Sequence, residues 1–279
     1  MTDLRRGDRD RYLTTLFAPG DARAGLVAVY GVNLELARIA DTVSEDLIGR
    51  MRLQWWRDRL EDLYSDAPGA GPPKGHPVLA ALDRAIRRHD LKRDRLAHMI
   101  DGREAEMTGG PPADVDDLIA RADQGPAAVM ALAGDILTGG LDAPGLAAVT
   151  CAARVQALTG AVMSVPFMLR RGRVPLPDAV CRREGFDTEK FYDRGPEGQE
   201  DALRRAVASV AGRARDELKP LRGMTPPRRL LPALLPARLA ARDLARLARA
   251  GHDPFDHRVL RIDGMRPAIL LGAALRGKV

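Results

Sequence analysis

Aromatic residues make up only 4% of this 279-residue chain, and cysteine occurs twice. Strand-favouring runs of Val, Ile, Thr and Tyr are missing, while Ala, Leu and Arg, all good helix formers, dominate. These scarcities exclude a β-rich fold, and an all-α class follows. Two cysteines, Cys151 and Cys181, are too few for a disulfide framework, and neither a CxxC nor a zinc-spaced His pair exists. Reduced thiols in an intracellular setting are the default. The opening MTDLRRGDRDRYL has no apolar centre, so no secretory signal is expected. No apolar run reaches about 18 residues, so no membrane-spanning helix is expected. GxSxG, P-loop and GxGxxG strings are absent too, which removes the usual nucleophile-elbow and nucleotide-binding signatures.

What is present is charge of both signs and helical periodicity. Forty-four basic residues against 38 acidic ones leave +6, with a pI near 9.7. Arg supplies nearly all the positive charge and is interspersed with Asp and Glu, as on solvated helix faces. No basic block with interleaved aromatics stands out, so the pI alone speaks for nucleic acid and none is expected as a partner. An anionic membrane surface is the other partner that basic character suggests.

Pro/Gly clusters divide the chain at 19–21, 67–77, 109–112 and 226–236. Between them the patterning predicts helices over 3–17, 22–40, 44–65, 77–89, 93–107, 115–124, 126–138, 143–170, 199–219, 237–250 and 266–276. The helix over 22–40 is apolar on most of its surface, as expected of a buried helix. No repeat and no long linker interrupts the series, so one domain over 1–279 is expected.

Few constellations carry chemistry. Asp41 and Glu45 stand four apart, a spacing that shares a helix face and can hold Mg²⁺, although solvated helices carry such pairs routinely. Trp55 and Trp56 point about 100° apart on a helix; one is expected in the core and the other at a cavity wall or the surface. The five histidines, His76, His89, His98, His252 and His257, are expected to face solvent. Ser164, in an apolar helix, is expected to bond a backbone carbonyl rather than act as a nucleophile.

The longer strings resemble the squalene/phytoene synthase family from about Tyr12 to Pro177. RYLTTLFAPGDARAGLVAVYGVN (11–33) is similar to the family's opening. HPVLAALDRAIRRHDL (76–91) and MIDGREAEM (99–107) also read as family segments, and RRGRVPLP (170–177) resembles its Arg-Arg-Gly-Arg-x-Tyr-Leu-Pro tail, with Pro175 for the Tyr. The resemblance implies an isoprenoid synthase type I helical bundle around a central cavity. It also implies head-to-head joining of prenyl diphosphates, with Mg²⁺ held between two facing acidic motifs. Tyr30, Arg38, Asp101, Arg103, Glu104 and Arg173 would then be cavity or diphosphate contacts.

Both acidic motifs depart from the family pattern. Anchored on Tyr30 and Trp56, the first falls on ARIAD (37–41) and keeps one acid; shifted by four, it falls on DTVSE (41–45) and keeps Asp41 and Glu45. Counted back from Gly172, the second falls on SVPFM, Ser164 to Met168, which keeps none. VNLELARIADTVSE (32–45), IGRMRLQWW (48–56) and the Pro166-Phe167 pair resemble the branch that contains the mitochondrial respiratory complex I assembly factor and its bacterial relatives. That branch implies a non-catalytic protein without a metal cofactor. It would bind a lipid or prenyl ligand, assist a membrane-protein subunit, and be cytoplasmic and peripheral at the inner membrane. Arg238, Arg242, Arg246 and Arg249 would face an anionic surface. The alternative is a divergent Mg²⁺-dependent prenyl transferase using Asp41 and Glu45.

Overall fold

The computed structural model describes residues 2–42, 45–67, 71–194 and 197–278; the side chains of Asp41, Thr108 and Arg194 lie outside that description. Among the described residues the secondary structure is helical and no strand occurs. The helices are α1 (Thr2–Gly7), α2 (Arg9–Thr15), α3 (Gly20–Thr42), α4 (Asp46–Tyr64), α5 (Pro77–His89), α6 (Arg93–Thr108) and α7 (Val115–Thr138). They continue with α8 (Ala143–Leu169), α9 (Asp178–Glu184), α10 (Thr188–Arg194), α11 (Glu200–Gly223), α12 (Leu231–Arg249), α13 (His257–Leu260) and α14 (Arg266–Arg276).

Local chemistry sets many of these boundaries. The Asp8, Asp114 and Asp142 carboxylates accept from the Arg11, Asp117 and Gly145 amides and so cap α2, α7 and α8. Gly139 and Gly185 close α7 and α9 in the left-handed region, at φ 78° and 76°.

α8 is the axis of the bundle, packed mainly against α7, α11 and α12. Its first half, through Ala148, Ala152 and Val155, belongs to a core shared with α3 to α7. Its second half, through Leu158, Val162 and Val165, joins a core with α9, α11 and the end of α12. Each buried Val or Leu among them contributes about 1.5–3 kcal/mol, so one helix ties two cores together. By length and composition α8 does pass as a membrane-spanning helix, contrary to the sequence expectation, but half of its apolar window is buried by neighbouring helices.

Other boundaries differ from expectation for physical reasons. The 3–17 helix is two helices, because Gly7 and Asp8 form a corner at which Asp8 starts α2 afresh. The two helices expected over 115–138 are one: residues 127–137 of α7 are all buried, and that packing outweighs the hydrogen bond that Pro126 removes. α12 likewise runs through Pro236 and begins at Leu231. The short helices α9, α10 and α13 carry too few residues for a periodic signal.

Candidate functional site

The α1–α2 corner lies against both helices that carry the family's motif positions. A Cβ on Gly7 would stand 2.7 Å from a Leu34 methyl and 3.1 Å from the Arg38 guanidinium of α3, so a side chain there would have to displace Leu34. On its other side Gly7 shares a pocket with Met163 and Phe167 of α8. Arg11 reaches inward from this corner, donating to Asp8 at 2.6 Å and to Gln156 of α8 at 3.1 Å. Its guanidinium sits 5.9 Å from the centre of the Tyr30 ring. Burial opposes the Arg11 charge, but Asp8 outweighs it and holds the group above its ordinary value. Burial also lifts the Tyr30 hydroxyl to about 12. Tyr30 is thus a buried residue beneath a buried cation. Arg11 and Gln156 were not singled out from the sequence; the run Gly7-Asp8, followed three residues later by Arg, was the available signal.

On α6 the carboxylates of Asp101 and Glu104 both take Arg57 of α4, at 2.7 and 2.5 Å. Arg103 turns the other way, to Asn33 of α3 at 2.8 Å and to Glu106 at 2.5 Å. Three of the six contact residues therefore tie α6 to α4 and α3.

The end of α8 is different. Ser164 donates its hydroxyl to the Ala161 carbonyl at 3.0 Å, as its setting suggested. Phe167 is exposed. Met168 and Arg173 line a pocket of about 500 Å³ between α7, α8 and the segment leading to α9. Ala157, Ala161, Leu118 and Pro126 make its apolar wall, and Arg121, Glu106 and Tyr192 its polar edge. Arg121 is itself fixed by Asp117 at 2.9 Å and by the Gly110 carbonyl at 2.8 Å. Arg173 is exposed and, among the described residues, has no carboxylate partner.

Arg38 lines a separate pocket of about 350 Å³ between α3 and α4, and pairs loosely with Glu35 at 3.3 Å. Trp55, Trp56 and His76 line it with Arg52. Trp56 is 6% exposed and Trp55 40%, the division expected of neighbours on one helix. His76 caps α5 through its Nδ1 and packs 5.6 and 5.8 Å from the two indoles. It and His89 and His252 are half-buried, contrary to expectation; only His98 and His257 are exposed.

Asp41 and Glu45 do not share a helix. α3 ends at Thr42, and Glu45 sits in extended backbone at the start of α4. The Asp41 side chain lies outside the described residues. A Mg²⁺ cluster of the kind the resemblance implies does not fit the described side chains. The second-motif positions on α8 supply Ser164, Phe167 and Met168, and Asp101 and Glu104 already hold Arg57. Among the described residues no three His, Cys, Asp or Glu side chains converge.

The arginine stripe on α12 is also partly consumed. Arg242 pairs with Asp263 at 3.1 Å; Arg246 pairs with Asp243 at 3.4 Å and donates to the Arg258 and Arg261 carbonyls at 2.6 Å. Arg266 bridges Asp243 and Asp10 at 2.7 and 2.6 Å. Two of the four arginines therefore pin the C-terminal segment instead of facing a surface.

This geometry is a helical bundle with a family's helices in place. A dehydrosqualene synthase crystal structure superposes with a TM-score of 0.80 over 99% of this chain and 93% of that one, at 18% identity. Squalene synthase HpnC from Alicyclobacillus acidocaldarius gives 0.74 over 90% and 92%, at 20% identity. The fold is thus the all-α isoprenoid synthase type. The squalene/phytoene synthase family profile matches residues 4–266, and the chain belongs to that family. Among curated proteins it is similar to complex I assembly factor 6 of Bos taurus, 32% identical over 77% of this chain, and of Homo sapiens, 30% identical over 83%. The matches span 62% and 68% of those relatives' own lengths.

Proposed function

We propose that this chain is a non-catalytic member of its family that holds an anionic amphiphile, a lipid or a prenyl phosphate, and assists assembly of a membrane respiratory complex. The observation that carries the reading is the end of α8. Where the reaction needs acids facing a second acidic helix, Ser164 is turned onto its own backbone and Met168 lines an apolar pocket. Both inherited motifs are then degenerate, and Asp41 is the one acid common to either register of the first.

The pocket suits the ligand class. Ala157, Ala161 and Met168 accommodate a hydrocarbon chain, and the Arg173 guanidinium at its edge forks onto a phosphate. The assembly role is supported by the relatives named for complex I assembly, and it makes this protein peripheral at the membrane holding that complex. Purified protein given farnesyl or geranylgeranyl diphosphate with Mg²⁺ is expected to form no product; turnover would overturn the non-catalytic reading. Deleting the gene should lower the amount of assembled NADH dehydrogenase complex, and an unchanged amount would overturn the assembly role.

A further inference from the structure

The first three turns of α4 present a surface that the bundle leaves uncovered. Gly49, Leu53, Trp56 and Leu60 bury one face of the helix. Leu47, Ile48, Met51 and Trp55 stand on the opposite side, within about 100° of arc. Leu47 is 63% exposed and Met51 65%. An apolar stripe of this size left in water marks a contact surface.

Arginines run along both edges. Arg50 lies on one side; Arg52 and Arg59 lie on the other. Arg50 and Arg52 are exposed and have no carboxylate partner among the described residues; Arg52 donates only to the Thr42 hydroxyl at 2.9 Å. Arg59 lies over the Trp55 ring at 6.0 Å and pairs with Asp62 at 2.8 Å. Asp58 and Asp62 come round to the apolar side one and two turns after Trp55, which ends the stripe there. The pocket of about 350 Å³ that holds Arg38, Arg52 and the two indoles opens beside it.

We infer that the N-terminal half of α4 docks on an anionic phospholipid surface. Leu47, Ile48 and Met51 enter the interface, Trp55 lies at headgroup level, and Arg50 and Arg52 meet lipid phosphates. Charge complementarity selects this occupant. A narrow apolar stripe edged on both sides by arginines, with Arg50 and Arg52 free of carboxylate partners among the described residues, and closed by Trp55 matches a helix lying in a membrane interface. Two cations that no described carboxylate meets are what headgroup phosphates complete. The inference rests on α4 alone and needs neither the α8 pocket nor the assembly role.

Of the chain's two tryptophans, Trp55 stands at this surface and Trp56 is buried on the other face of the helix, so a change in intrinsic emission on binding reports on Trp55. The intact protein is mixed with vesicles of phosphatidylglycerol and phosphatidylcholine in equal parts, and with phosphatidylcholine alone. Sedimentation with the mixed vesicles and a blue shift of Trp emission are expected, both weakened by salt. Arg50→Ala and Arg52→Ala should each weaken partitioning about fivefold. Met51→Asp, at an exposed site that leaves the core intact, should weaken it about tenfold or more. Trp55→Phe should remove most of the shift while leaving sedimentation. No binding, binding without a change in emission, or binding undiminished by Met51→Asp in a variant that melts like the wild type would overturn the inference.

Discussion

Arg11 carries a positive charge into the space between α2, α3 and α8, where 14% of its side chain remains exposed. Such a charge persists only if its donors are met, and here Asp8 and Gln156 meet them. Removing it leaves Asp8 half-buried without its cation and Gln156 without its donor. Arg11→Ala is therefore expected to cost about 2–3 kcal/mol, discounted from a fully buried pair because Asp8 keeps some solvent. Arg11→Lys keeps the charge but loses the fork that reaches both partners, and should cost about half as much. Urea unfolding with an unchanged slope and a shifted midpoint measures both. Equal effects of the two variants would mean that the charge contributes nothing and geometry everything. Asp8 also caps α2, so an Asp8 substitution mixes two effects and is the poorer probe.

Among the elements, α6 and α7 meet backbone to backbone at Gly102 and Gly125. A Cβ built on Gly102 would stand 2.4 Å from the Gly125 Cα and 2.8 Å from its amide nitrogen, so backbone meets backbone with no side chain able to yield. The reverse is looser: a Cβ on Gly125 comes no nearer than 3.3 Å. Gly102→Ala should cost about 2–3 kcal/mol by forcing the helices apart, while Gly125→Ala should cost under about 1 kcal/mol. Thermal unfolding of the two variants tests that asymmetry. The tie from Asp101 and Glu104 to Arg57 starts from the residues beside Gly102, so the first variant should also loosen α4 against α6. None of this shows in one sequence, where Gly102 reads as a weak helix residue and Gly125-Pro126 as a break. Periodicity did reveal α3 to α6, because long amphipathic runs bury one stripe whatever lies across from them. It failed at Pro126 and Pro236, where packing overrides a local signal. It also failed at α9, α10 and α13, which are shorter than two full turns of pattern.

For the whole molecule, the family was legible because RRGRVPLP, the Tyr30 helix and the Trp pair are local strings. The site was less so, because it depends on which strings meet. Asp101, Arg103 and Glu104 read as pocket residues but tie helices together, whereas Arg173 and Met168 share a pocket with Arg121 and Tyr192, distant in sequence on both sides. That regrouping decides how ligand binding should respond to metal. If Mg²⁺ bridged ligand to protein, EDTA would abolish binding; if Arg173 holds the phosphate, it would not. A prenyl phosphate at about a hundred times its dissociation constant contributes about 2.7 kcal/mol to the folded state. For a chain of this size that raises the melting temperature by about 5 °C. The rise should be the same with EDTA as with Mg²⁺, smaller in Arg173→Ala, and absent in Ala161→Trp, whose indole fills the apolar wall. A rise that needs Mg²⁺ would reinstate a metal site and point to Asp41. A rise undiminished by Ala161→Trp would move the ligand out of the α8 pocket altogether.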